Sequence, residues 1–125
     1  MRRRRVVCTL LLTGLLGTLS AVQAATAPEV RAEVDRLLSR LRSAGCRFNR
    51  NGSWYSGDDA VQHLSRKRAY LEDKGALQST EDFIQQAASQ SSVSGRPYLV
   101  QCGDAAPVQA GSWLREQLAA MRKAR

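Results

Sequence analysis

The chain has 125 residues, with 19 Lys and Arg against 11 Asp and Glu, a formal net charge of +8 and an isoelectric point near 10.3. That length holds one domain rather than two. With 43% hydrophobic and 24% charged residues it is neither a disordered chain nor a multispan membrane protein, and one His with three Cys leaves little room for an all-protein metal cage.

The first 24 residues revise the charge. Met1 is followed by Arg2-Arg3-Arg4-Arg5, then by a Leu-rich, mostly apolar stretch of 14 residues from Val6 to Leu19, then by Ser20-Ala21-Val22-Gln23-Ala24-Ala25. A basic head, an apolar middle and a small-residue end form the pattern of a secretory signal, with Val22 and Ala24 at the −3 and −1 positions and cleavage expected after Ala24. The apolar stretch is shorter than the ~20 residues that span hydrocarbon, which disfavours an uncleaved anchor. Cys8 lacks the context of a lipoprotein cysteine, and the arginines lack the flanks of twin-arginine export, so the general secretory route to the periplasm is expected. Residues 25–125 then form one domain of 101 residues with no membrane span. They carry 15 cationic against 11 acidic side chains, a net +4.

Cys46 and Cys102 remain after processing. An even pair in an exported protein reads as a disulfide, with two buried free thiols as the alternative. It would close a loop of ~57 residues, which loop-closure entropy values at ~4 kcal/mol. There is no Cys-x-x-Cys redox spacing, and His63 is far along the chain from either Cys, so no metal site or cofactor is expected.

Taken in chain order, Thr26-Ala27-Pro28-Glu29 reads as a helix start, with Thr26 capping and Glu29 answering. Val30, Val34, Leu37, Leu38 and Leu41 form its apolar stripe, and Gly45 ends it. Cys46-Arg47-Phe48 and Ser53-Trp54-Tyr55 flank an Asn51-Gly52 turn, a hairpin signal. Ser56 precedes Gly57-Asp58-Asp59 and caps a second helix that buries Ala60, Val61, Leu64 and Leu71 and ends near Lys74-Gly75. Ser79-Thr80-Glu81-Asp82 opens a shorter third helix, followed by a serine-rich loop over residues 89–97. Tyr98 to Cys102 alternates as a strand, and Ser112 is expected to cap a last helix through Trp113, Leu114, Leu118 and Met121. The fold class predicted is α+β: a small three-stranded antiparallel sheet, a hairpin plus one later strand, packed with about four helices. Arg31, Arg36 and Arg40 alternate with Glu29, Glu33 and Asp35 as a self-paired, solvated face. Arg122, Lys123 and Arg125 read as a solvated tail, and Trp54 and Trp113 as core anchors.

Arg50-Asn51-Gly52, Ala60-Val61-x-His63-Leu64-x-x-Lys67, Phe83-Ile84 and Ala88-Ser89-x-Ser91-Ser92-x-Ser94-Gly95-Arg96-Pro97-Tyr98-x-Val100 occur in that order. Through these residues the chain resembles the YfeK-like family of small exported bacterial proteins, a domain of unknown function. The resemblance is close over residues 46–102 and looser in the flanking helices. It brings no known activity, substrate or cofactor, and hence no catalytic residue.

The candidate binding surface is Arg50, Asn51, His63, Lys67, Ser92, Ser94, Gly95, Arg96 and Tyr98. His63 and Lys67, four apart, share a helix face, as do Arg66 and Tyr70. Hydroxyls and backbone N–H groups of a Ser/Gly loop beside an Arg suit an anion or a carbohydrate. The expected function is therefore a non-enzymatic binding module for an envelope component, either a protein or an anionic glycan or lipid. The structural alternative is a self-bonded serine loop with no ligand. An enzyme reading would make His63 a base and Ser91, Ser92 or Ser94 a nucleophile, but no Gly-x-Ser-x-Gly elbow and no acid partner are evident. Ser94-Gly95-x-x-Tyr98 is similar to a loop of periplasmic lysozyme inhibitors. Those are β-barrels, whereas this chain is half helix and too basic to match a cationic lysozyme. Nucleic acid is not an expected partner, since the chain lacks an interleaved basic and aromatic platform.

Overall fold

The computed structural model describes residues 14–18 and 25–125. Most of the expected signal, including Cys8 and the cleavage site after Ala24, lies outside the described residues. No helix among them is long and apolar enough to cross a membrane.

Helix α1 (Pro28–Ser43) turns Val34, Leu37, Leu38 and Leu41 into the core. Its cap differs from expectation. Proline keeps the preceding residue extended, so Ala27 (φ −61°, ψ 145°) becomes the N-cap. The Thr26 hydroxyl is left buried without a hydrogen-bond partner, and no capping box forms. Gly45, at φ 65°, reverses the chain into strand β1 (Cys46–Arg50), which pairs antiparallel with β2 (Ser53–Tyr55). Asn51 and Gly52 join them with φ of 51° and 86°, the two positive values that a tight type I′ turn requires.

Helix α2 (Gly57–Asp73) starts as expected, the Ser56 hydroxyl accepting from the Asp59 N–H at 3.1 Å. Helix α3 (Thr80–Phe83) is capped the same way by Ser79 and continues as a π-helical turn over Ile84–Ala88. The Ser89 hydroxyl closes that turn by donating to the Ile84 carbonyl at 2.7 Å. Strands β3 (Leu99–Cys102) and β4 (Val108–Gln109) precede helix α4 (Ala110–Lys123).

The sheet has four strands, not the three expected, in the order β2-β1-β3-β4 and antiparallel throughout. The extra strand is two residues long, too short to show alternation in sequence. It exists because it runs directly into α4: Gln109 is the N-cap, and the Ala110 N–H donates to the Tyr98 carbonyl at 2.9 Å. Ser112 therefore sits inside the first turn of α4 and does not cap it.

Phe48 and Val100, directly opposed on β1 and β3, face the helices and join Leu37, Leu41, Leu64, Phe83, Ile84, Tyr98 and Leu114 in one core. Cys46 and Cys102 are also opposed, with Cα atoms 4.2 Å apart, and form the expected disulfide. Neither tryptophan is a core anchor. Trp113 packs half-buried at the core edge, and Trp54 lies 5.1 Å beneath the Arg47 guanidinium.

The charged face of α1 is not self-paired either. Arg31 meets Glu72, Asp35 meets Arg68, and Glu33 meets both Arg122 and Arg125. The expected basic tail is thereby tied back: Arg122 and Arg125 clasp a carboxylate that is only 7% exposed. Sequence neighbours on one helix had suggested local pairs, but α2 and α4 offer closer partners once packed.

Candidate functional site

The hairpin, α2 and the run into β3 converge on His63. Alternation along β1 sends Arg50 to the same side as Phe48, toward α2. There its guanidinium lies 2.7 Å from His63 Nδ1. A guanidinium only donates, so Nδ1 accepts and the imidazole proton sits on Nε2. That proton is donated to the Tyr98 hydroxyl at 3.0 Å. Lys67, one helical turn beyond His63, donates to the same oxygen at 3.2 Å and to the Gln90 carbonyl at 3.0 Å. Tyr98 is 1% exposed and is held by its backbone to Ser89 and Ala110, so the hydroxyl is a fixed point.

Cations surround this imidazole, and among the described residues no carboxylate bonds to it. Burial, then the charges of Arg50, Lys67 and Arg66, lowers its pKa to about 4, so it is neutral near pH 7. Burial and Arg50 likewise lower the Lys67 ammonium, and burial raises the Tyr98 hydroxyl.

Three adjoining clefts meet along α2. A cleft of about 200 Å³ is lined by Phe48, Arg50, Tyr55, Asp59, Ala60, Gln62, His63 and Arg66. His63 and Arg66 also border a second, of about 410 Å³, with Lys67, Tyr70, Leu71, Gln86 and Ser92. Leu71, Gln86 and Ser92 continue into a broader cleft of about 670 Å³ with Gln85, Ser89, Gln90 and Arg115. The groove so formed carries Arg50, Arg66, Lys67 and Arg115 against one acid, Asp59. Among the described residues Arg50, Arg66, Lys67 and Arg115 make no ion pair, whereas Arg31, Arg42, Arg68, Arg122 and Arg125 do.

The candidate residues divide into two groups. Arg50, His63, Lys67, Ser92 and Tyr98 lie at the groove. Asn51, Ser94, Gly95 and Arg96 instead build the serine loop and its contact with the hairpin. The Ser94 hydroxyl donates to Asn51 Oδ1 at 2.6 Å, and Asn51 Nδ2 donates to Ser91 Oγ at 3.4 Å. Ser91 Oγ also accepts from the N–H groups of Val93 and Ser94. Gly95 turns the loop at φ 72°, and the Arg96 guanidinium lies about 3.9 Å from where a side chain on Gly52 would begin. These serines spend their hydrogen bonds on the loop and on Asn51 of the hairpin turn, and none among the described residues bonds to His63.

Sequence reasoning passed over Tyr55, Asp59, Gln62, Gln86 and Gln90. The signal for part of this was available: Asp59, His63, Arg66, Lys67 and Tyr70 recur at three- and four-residue spacing, one stripe of α2 bordering its core face. Tyr55 needed the hairpin register, and Gln86 and Gln90 needed the π turn.

A two-layer α+β domain with a basic groove beside a neutral, tyrosine-bound histidine is the class of protein defined by this geometry. The chain belongs to the Family of unknown function (DUF5329), whose profile matches residues 28–122. It is 32% identical over 96 residues to a Salmonella typhimurium protein named Uncharacterized protein YfeK, covering 76% of each chain. No solved structure matches it.

Proposed function

We propose that this is an exported, periplasmic binding module that holds an anionic envelope component in the groove along α2. The observation that carries the reading is the gathering of Arg50, Arg66 and Lys67 along adjoining clefts whose lining holds a single acid, Asp59, none of the three being in an ion pair among the described residues. Cations held without counter-charges raise the local concentration of anions and retain donors for them. The export pattern of residues 1–24 and the Cys46–Cys102 bridge support an oxidising compartment.

Hydrolysis by a serine and His63 has less support. An imidazole held near 4, with Nδ1 taken by Arg50 and Nε2 by Tyr98, is a poor base for any loop serine.

The test is an NMR titration of residues 25–125 with inorganic phosphate and with N-acetylmuramate. Saturable shifts are expected at the amides of His63, Arg66 and Lys67 and should weaken at least fivefold in Lys67→Met. Absence of saturable shifts with either anion would sink the reading.

A further inference from the structure

The groove changes character along its length. Its Arg50 end is polar, narrow and cationic, closed by Tyr55, Gln62 and Arg66. Past His63 the exposed wall becomes mainly carbon, although Arg66 and Lys67 still border it: Tyr70 is 61% exposed and Leu71 packs half-buried beside it. A helix surface at these positions ordinarily carries polar side chains toward water. Charge at one end and a wettable but apolar trough of about 410 Å³ leading away from it match a ligand with the same division.

A free sugar acid or inorganic phosphate would use only the Arg50 end and leave the trough in water. A neutral apolar molecule would leave Arg66, and the Arg50 donors not given to His63, without an anion. Both halves are satisfied together by a molecule with one anionic head and one flexible chain. The trough is open along one side, which suits a single chain better than a paired one.

We infer that the groove binds a single-chain amphiphile with an anionic head, the head against Arg50 and Arg66 and the chain along Tyr70 and Leu71. The inference rests on the anion-binding reading above and adds the chain.

It is tested by calorimetric titration of residues 25–125 with octanoate, decanoate and laurate below their micelle concentrations. Dodecyl phosphate, acetate, inorganic phosphate and dodecyl maltoside serve as the other arms. Affinity should rise about tenfold for each two methylenes. Arg66→Gln and Tyr70→Gln, both at exposed positions that leave the core intact, should each weaken laurate at least fivefold. Tighter binding of laurate than of dodecyl phosphate identifies a carboxylate head, and the reverse a phosphate head; either supports the inference. Laurate no tighter than acetate while inorganic phosphate still binds overturns the chain and leaves the anion site standing. Dodecyl maltoside equal to laurate overturns recognition of the head. No binding by any anion removes both readings.

Discussion

At Glu33 a carboxylate is buried because two guanidinium groups from the far end of the chain reach it, Arg122 at 2.8 Å and Arg125 at 2.7 Å. The hydrogen bond from Arg122 dominates and lowers its pKa to about 2. At His63 burial and neighbouring cations lower the imidazole to about 4. Both groups have folded values below their unfolded ones, so the unfolded chain binds more protons in acid and stability falls as pH is lowered. The contribution of His63 is complete above about 6.5 and is lost as pH falls through about 4; that of Glu33 is complete above about 4.5 and is lost through about 2. Since their partners remain partly exposed, solvent screening leaves each on the order of 1–2 kcal/mol. Urea midpoints should therefore fall between pH 7 and pH 4.5 with the disulfide intact. In His63→Gln that fall should be largely absent, and an unchanged slope would mean that another group titrates. In the sequence His63 was a candidate through its motif and the helix face it shares with Lys67, but its bonds to Arg50 and Tyr98 were not legible, and Glu33 looked like one member of a solvated face.

Among elements, the contact of α1 with α2 turns on one glycine. A Cβ at Gly57 would lie 2.8 Å from the Leu41 carbonyl oxygen and 3.1 Å from the Arg42 Cα, both backbone atoms that cannot swing aside. Gly57→Ala should cost about 1–3 kcal/mol by forcing the helices apart, despite the better helix propensity of alanine. Chemical denaturation measures this directly, and a neutral or stabilised variant would show that α1 yields. The serine loop is the other inter-element joint. Its sequence suggested ligand contacts, but Ser91 and Ser94 bond to Asn51 at the hairpin tip and hold that tip against the entry to β3. Helix α1 and the hairpin were legible from apolar spacing and an Asn-Gly turn, and α2 and α3 from their serine caps as well, because each acts within a few residues. Strand β4 and the start of α4 were not, since both depend on the Tyr98 carbonyl that meets Ala110 across the sheet.

For the whole molecule, the bridge joins the central strand pair of the sheet at one end. Cys46→Ala/Cys102→Ala should lower stability by about 2–4 kcal/mol, read as a drop in the denaturant midpoint. Protein recovered from the periplasm of an expressing bacterium should begin at Ala25 by intact mass and show no free thiol without reduction. An N-terminus at Met1 in the cytoplasmic fraction, or two labelled cysteines, would remove the exported assignment.

Local chemistry in the sequence determined the helical stripes, the type I′ hairpin, the pairing of the two cysteines and membership of the family, because each is written in spacing or in a short motif. Tertiary structure decided where the charges go. A guanidinium on a long stem has many carboxylates within reach of its chain position, and only packing selects among them. That selection paired Arg31, Arg68, Arg122 and Arg125 with Glu72, Asp35 and Glu33 and brought Arg50, Arg66 and Lys67, without a carboxylate partner among the described residues, around a histidine and a buried tyrosine. Part of the mild basicity of residues 25–125 is thus gathered at one groove, while Arg36, Arg47, Lys74 and Lys123 stay exposed outside its lining.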